Sequence, residues 1–149
     1  MEVEVFESNH VNQKFENGDS YHGETNNLKK EGKGTYTFNN GDIYEGDFVN
    51  GAMDGEGIYH YGNGNIFDGE FENGEMKFGI FTFPNEDRYE GEFANGKFEG
   101  KGKYYYNNGD IYDGNWSNDH KNGFGKYILN DGSEIEGEWK DDFPVKEEK

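Results

Sequence analysis

A chain of 149 residues with 30% apolar content, 24 glycines, 11 tyrosines and 13 phenylalanines has too few aliphatic residues for an ordinary globular core. It also has too many aromatic residues for a disordered segment. Glycine does not recur every third residue, which excludes collagen, and the absence of cysteine excludes a disulfide framework or thiolate zinc site. A formal charge of −18 repels nucleic-acid phosphates and anionic lipid headgroups; it favours a basic partner, or serves only solubility.

The stretch MEVEVFESNHVNQKF has neither a basic n-region nor an apolar h-region, so a secretory signal is not expected. No apolar run is long enough to span a bilayer as a helix, and the cytoplasm is the expected location. Val3 and Val5 alternate with glutamates, which predicts an edge strand in an N-terminal cap over residues 1–14. A repeat array follows over residues 15–142, since Phe15, Asn17 and Gly18 already match the second half of a repeat. Full repeats begin at Tyr21, Tyr44, Phe67, Tyr89 and Tyr112, and a half-repeat begins at Ile135. The period is 23 residues, with one step of 22 between Phe67 and Tyr89, where a residue is missing near Phe78. Residues 143–149 are expected to be a flexible tail.

The repeats align in columns. The structural glycines are Gly23, Gly46, Gly69, Gly91, Gly114 and Gly137. Two residues later come Phe48, Phe71, Phe93, Trp116 and Trp139, with Thr25 breaking the column in the first repeat. Glycine pairs follow, such as Gly55/Gly57 and Gly100/Gly102, and then the ring pairs Tyr36/Phe38, Tyr59/Tyr61, Phe81/Phe83 and Tyr104/Tyr106. These residues alternate with period two, which is a strand and not a helix. Asn50-Gly51 between two such runs is a hairpin turn signal.

Pairing Gly46 with Gly57 places Tyr44 opposite Tyr59 and Phe48 opposite Gly55. Rings and glycines then share one face, and a side chain in a glycine column would strike a ring. The N-N-G-D connections are expected to be odd-length loops with glycine in a left-handed conformation, which sets Phe38 opposite Tyr44. The opposite face carries charge: Glu92 faces Lys101, Glu90 faces Lys103 and Glu24 faces Lys33. The predicted fold is all-β, an elongated, twisted, single-layer antiparallel meander of about twelve short strands.

The columns resemble the MORN family ("membrane occupation and recognition nexus"), with the pattern Y-x-G-x-W/F-x-x-G-x-x-x-G-x-G. Tyr44, Gly46, Phe48, Gly51, Gly55 and Gly57 match it, as do Tyr89, Gly91, Phe93, Gly96, Gly100 and Gly102. The third repeat departs by its deletion, the fifth by Asp119, and the first by Thr25 and Leu28. The resemblance implies a curved run of β-hairpins without shared catalytic residues. It also implies a part in larger assemblies such as ciliary, cytoskeletal and membrane-junction complexes, with one member holding a myosin tail along its groove.

An enzyme is not expected. The four histidines fall in different repeats or at the N-terminus, no metal-ligand spacing is present, and the carboxylates recur with the period as architectural residues do. No catalytic residue, metal or cofactor is assigned. The expected function is a scaffold or protein-interaction module, a component of a cytoskeletal or ciliary assembly, binding a basic or helical protein segment along its aromatic face. Candidate partner-binding residues are Tyr59, Tyr61, Phe71, Phe81, Phe83, Phe93, Tyr104, Tyr106, Trp116 and Trp139. The same rings could serve only to stack over glycines. The alternative is a phosphoinositide- or membrane-associated adaptor, which the charge disfavours; nucleic acid is not expected as a partner. Self-association through exposed end strands stays open.

Overall fold

The computed structural model describes the backbone of residues 2–7 and 9–146, and their side chains except those of residues 4–7. The described residues contain no helix. Fourteen strands form an open antiparallel meander in which sheet order is sequence order. The chain divides between Glu75 and Met76 into two compact units. The first contains β1 (Glu2–Glu7), β2 (His10–Lys14), β3 (Ser20–Asn26), β4 (Lys29–Thr37), β5 (Ile43–Val49), β6 (Ala52–His60) and β7 (Ile66–Glu72). The second takes all but the first residue of β8 (Glu75–Thr82). It continues with β9 (Arg88–Ala94), β10 (Lys97–Tyr105), β11 (Ile111–Ser117), β12 (His120–Ile128), β13 (Glu134–Lys140) and β14 (Phe143–Pro144).

The excess over twelve strands comes from the ends. Val3 and Val5 lie in β1, which pairs with β2, and β2 pairs in turn with β3. Phe143 and Pro144, within the segment expected to be a flexible tail, pair with Lys140 and Trp139 of β13. Residues 147–149 of that segment lie outside the described residues.

The core register holds as expected. Gly46 pairs with Gly57 and Tyr44 with Tyr59; in the second unit Gly91 pairs with Gly102 and Tyr89 with Tyr104. The reason for the first glycine of each pair is backbone proximity: a Cβ on Gly46 would lie 2.5 Å from Gly57 Cα, and one on Gly91 2.5 Å from Gly102 Cα. The second glycine has a different cause. A Cβ on Gly57 would lie 2.4 Å from the Tyr44 ring, and one on Gly102 2.3 Å from the Tyr89 hydroxyl. The ring thus lies on glycine backbone.

Three expected facings are corrected. Phe48 does not face Gly55 in its own hairpin; it faces Met53, because the register shifts between Gly46 and Phe48. Gly55 occupies the bulge at φ +101°, a conformation that L side chains rarely adopt, and Phe48 faces Gly32 of the preceding repeat. A carboxylate braces the bulges at Gly32, Gly55 and Gly100. Asp47 accepts the Glu56 N–H at 2.9 Å, Glu24 the Lys33 N–H at 2.7 Å and Glu92 the Lys101 N–H at 2.6 Å. The expected Glu24–Lys33 and Glu92–Lys101 ion pairs are therefore carboxylate-to-backbone bonds, and the Lys33 ammonium pairs with Asp47 instead. Glu90 does face Lys103.

The third correction is at the long connection, which is a three-residue loop, odd as expected. Phe38 N–H donates to Asp42 O at 2.9 Å and Gly41, at φ +97°, donates to Phe38 O at 3.1 Å. This closes the loop at Asp42, two residues earlier than predicted, so Tyr36 and not Phe38 faces Tyr44.

The two glycine causes predict different penalties. Gly102→Ala, which drives a methyl into the Tyr89 ring, costs about 3 kcal/mol. Gly96→Ala has nothing within 4 Å but a φ of +75°, and costs about 1–2 kcal/mol of backbone strain alone. Urea denaturation midpoints of the two variants, at unchanged slope, check the difference.

Candidate protein-interaction face

One face of each unit is paved with rings, and the floor of the pavement is the column tyrosine. Tyr21, Tyr44, Tyr89 and Tyr112 are fully buried. Each donates its hydroxyl to the carbonyl three residues on: Glu24 at 2.6 Å, Asp47 at 2.7 Å, Glu92 at 2.7 Å and Asn115 at 3.0 Å. A buried hydroxyl without a partner would cost about 1–3 kcal/mol, so this bond is a condition of the burial. Desolvation raises these phenols, Tyr21 and Tyr112 to about 12.

The Phe/Trp column stands edge-on to the floor. Phe48 meets Tyr21 of the preceding repeat at 5.2 Å and 84°, and Tyr44 of its own at 5.1 Å and 86°. Trp116 meets Tyr89 at 5.4 Å and 89°, and Tyr112 at 5.2 Å and 89°. Edge-to-face contact sets the positive ring rim against the negative face, and each such pair adds about 0.5–1.5 kcal/mol beyond area burial. Trp116 also donates its indole N–H to Gly102 O at 3.0 Å. This column therefore stitches successive repeats together.

A second ladder runs along the loop edge. Asp19, Asp42, Asp87 and Asp110 each accept the hydroxyl of a tyrosine seventeen residues on, Tyr36, Tyr59, Tyr104 and Tyr127, at 2.7–2.8 Å. Each also accepts a backbone N–H from the next loop, at Asn39, Gly62, Asn107 and Asn130. Asn39, Asn107 and Asn130 donate their amides to loop carbonyls of the preceding repeat. Sequence reasoning missed this ladder, although its signal is periodic. Where Asn65 replaces the aspartate, Phe81 replaces the tyrosine, so carboxylate and hydroxyl are lost together.

The ten ring candidates divide by burial. Phe71, Phe93, Trp116 and Trp139 are buried members of the edge-on column. Tyr59, Tyr61, Phe81, Phe83, Tyr104 and Tyr106 are half-buried and present surface. In the first unit, Tyr59 and Tyr61 lie 4.5 Å apart, but the hollow there, about 260 Å³, is lined by Lys30, Tyr36, Phe38, Phe48, Met53 and turn residues. In the second unit Phe81, Phe83, Phe93, Tyr104, Tyr106 and Trp116 converge on a depression of about 460 Å³. Trp139 does not line it. Of the structural glycines, Gly23, Gly46, Gly91 and Gly114 lie against their partner's backbone, Gly69 pairs with Gly57, and Gly137 has nothing within 4 Å.

Four further lining residues were not among the candidates for partner binding: Phe98, Asp119, Lys121 and Asp142. Phe98 and Lys121 stand nine residues after a column tyrosine, in a column that reads Lys30, Met53, Met76, Phe98, Lys121. It is uniformly long-chained but mixed in chemistry, which hides it from a hydrophobic pattern. Phe98 stacks flat on Tyr89 at 3.9 Å and 8°. Lys30 holds its ammonium over Tyr21 and Tyr36, at 5.9 and 5.2 Å. Lys121 holds its own among Tyr106, Tyr112, Trp116 and Trp139, at 5.4–5.9 Å. Burial lowers both amines below the ordinary lysine range, opposed at Lys121 by Asp142. Among the described residues no group of three or more His, Asp or Glu side chains is placed to hold a metal ion. His60 bonds Glu45 and His120 bonds Asp142, on different strands.

The family model for the MORN repeat matches residues 26–43, 44–66, 67–88, 89–111, 112–134 and 136–145. Among solved structures, the chain is similar in fold to the TCP domain of SAS-4 (dCPAP) from Drosophila melanogaster, determined in complex with a proline-rich motif of Ana2 (dSTIL). The TM-score is 0.56 and the identity 16%, over 86% of this chain and 70% of that one. No curated protein matches.

Two outcomes are expected of the loop ladder. Tyr104→Phe and Asp87→Asn each cost about 1–2 kcal/mol, because each leaves a polar partner unpaired, and the double variant costs less than their sum; a denaturant double-mutant cycle reads the coupling. The ladder also bounds the pH range. Burial first, then the bonded aspartate, raises Tyr36 and Tyr127 to about 12. Their unfolded value is about 10, so the stability they confer is complete below pH 10 and lost as the pH rises towards 12. The Tyr36 hydroxyl, against burial and aided by backbone and Asn17 bonds, holds Asp19 below the usual carboxylate range. That contribution is present above about pH 4 and lost as the pH falls through the folded value. Thermal midpoints should be flat from about pH 5 to 9 and fall on both sides.

Proposed function

The chain belongs to the MORN-repeat family, and on that premise we propose that it is a non-enzymatic interaction module which holds a segment of a partner protein along the ring face of its second unit, as one component of a cytoskeletal or ciliary assembly in the cytoplasm. The MORN repeat is itself a non-enzymatic module. The observation that carries the reading is the depression into which Phe81 and Phe83 at the β8 end, Phe98 and Tyr104 of β10, Tyr106 just beyond it and Trp116 of β11 converge. Phe81, Phe83, Tyr104 and Tyr106, half-exposed beside the buried Phe98 and Trp116, give large contact area at low entropic cost, which is what interface anchors require. The occurrence of a similar fold in complex with a proline-rich motif supports a peptide segment as the kind of partner. A proline-rich or otherwise extended chain suits an aromatic groove because it arrives already ordered.

The test is recovery of the native complex from the native cell with the wild-type chain and with a Phe83→Ala/Tyr106→Ala variant, the fold of each confirmed by its thermal midpoint. The variant is expected to lose the partner that the wild type retains, with affinity reduced at least about tenfold. Retention of the same partner at unchanged affinity by the folded variant would sink the proposal.

A further inference from the structure

We propose that the segment received by the second unit's groove is basic, and that one of its lysine or arginine side chains lies across the rings beside Phe98 with its cation against Asp119. This rests on the groove reading above and adds the chemistry of the occupant.

The ring face already holds cations. Lys30 and Lys121 come from the same column as Phe98, and each places its ammonium 5.2–5.9 Å from ring centroids. The attraction is that of a cation for the negative face of an aromatic ring, stronger where water is excluded. At the position before Lys121 in the column the chain supplies a ring instead: Phe98 lies flat on Tyr89, and the depression opens beside it. The rings that surround a lysine in the following repeat here surround Phe98, with Phe93 and Trp116 each 5.5 Å from it, so the chain supplies no cation of its own at that column position.

Charge points the same way. The second turn residue is glycine at Gly51, Gly74 and Gly96 but aspartate at Asp119 and Asp142, so carboxylates line the depression where those three hairpins carry no side chain. Asp142 accepts the Lys121 N–H at 2.8 Å and bonds His120 at 2.6 Å, and its charge favours the ammonium of Lys121. That end of the groove is balanced. Asp119 commits one oxygen to the Phe98 N–H at 2.8 Å, and its other oxygen has no partner among the described residues. Two carboxylates and one ammonium leave the lining negative, within a chain of formal charge −18. An acidic segment would be repelled at long range and a neutral one would leave Asp119 unanswered.

The experiment pans a display library of random short peptides on the full chain, then titrates the enriched peptides by fluorescence anisotropy. Enriched peptides are expected to carry lysine or arginine, and to bind more weakly as salt rises. Asp119→Asn keeps the acceptor for the Phe98 N–H but removes the charge; it should weaken binding about tenfold, and Asp119→Lys more. Glu90→Gln on the opposite face should change little. Enriched peptides without cations, or binding indifferent to Asp119→Asn yet abolished by Phe83→Ala, would overturn the basic occupant and leave the groove standing. Binding indifferent to Phe83→Ala and Tyr106→Ala as well, or no enrichment at all, would overturn both.

Discussion

A phenol ring lying directly on peptide backbone is the contact on which this structure depends. It needs a glycine beneath the ring, at Gly57 or Gly102, and a second glycine opposite, at Gly46 or Gly91, so that the two strands can approach. It also needs a carbonyl within reach of the hydroxyl, which the same strand supplies three residues on. A sheet has no second layer of its own to bury against. Here the rings act as that layer, and the glycines let them sit low enough to be fully buried.

The other features follow from this layer. Because the tyrosines lie flat, the Phe/Trp column can stand edge-on against two of them, one in its own repeat and one in the repeat before. Because the strands bulge at the first glycine of each G-x-G, that column faces the preceding repeat's bulge glycine: Phe48 against Gly32, Trp116 against Gly100. Structural and surface-presenting rings then separate by position along the strand. Those nearest the column glycine are buried, and those towards the loops are half-exposed, with Tyr36, Tyr59, Tyr104 and Tyr127 held by aspartates at their hydroxyls.

The repeat, its strands and the central pairing were legible because each rests on residues that recur in register. What the columns did not reveal was local. Gly32, Gly55 and Gly100 look like strand glycines in sequence, yet they sit at left-handed bulges, and only the carboxylates bracing them betray the difference. The facing of Phe38 was misplaced by two residues because loop length is decided by which carbonyl the loop glycine can reach. In the candidate groove, Phe81, Phe83, Tyr104 and Tyr106 were visible as conspicuous ring pairs. Phe98 and Lys121 were not, because their column changes chemistry from repeat to repeat, and a motif search discards such a column as noise; Asp119 showed only as a departure from the glycine column. Binding specificity is expected to reside in those columns, since the constant ones are occupied with holding the sheet.

The separations of the stitching contacts have a consequence for how the chain reaches this state. Ring, indole and loop bonds connect residues three, fourteen, seventeen and twenty-two apart, and these separations recur down the chain. Even the edge-on ring contacts between repeats, Tyr21 with Phe48 and Tyr89 with Trp116, span only 27 residues, so the entropy lost on forming each closure is small and nearly constant. All-β proteins usually fold slowly because their partners are distant in sequence; this one has the local connectivity of a helical bundle. Ordering can begin at any hairpin and spread outward, each finished hairpin serving as the template for the next. A ribosome releasing the chain from its N-terminus would therefore find each hairpin's template already made, with little apolar surface waiting for a partner not yet synthesised.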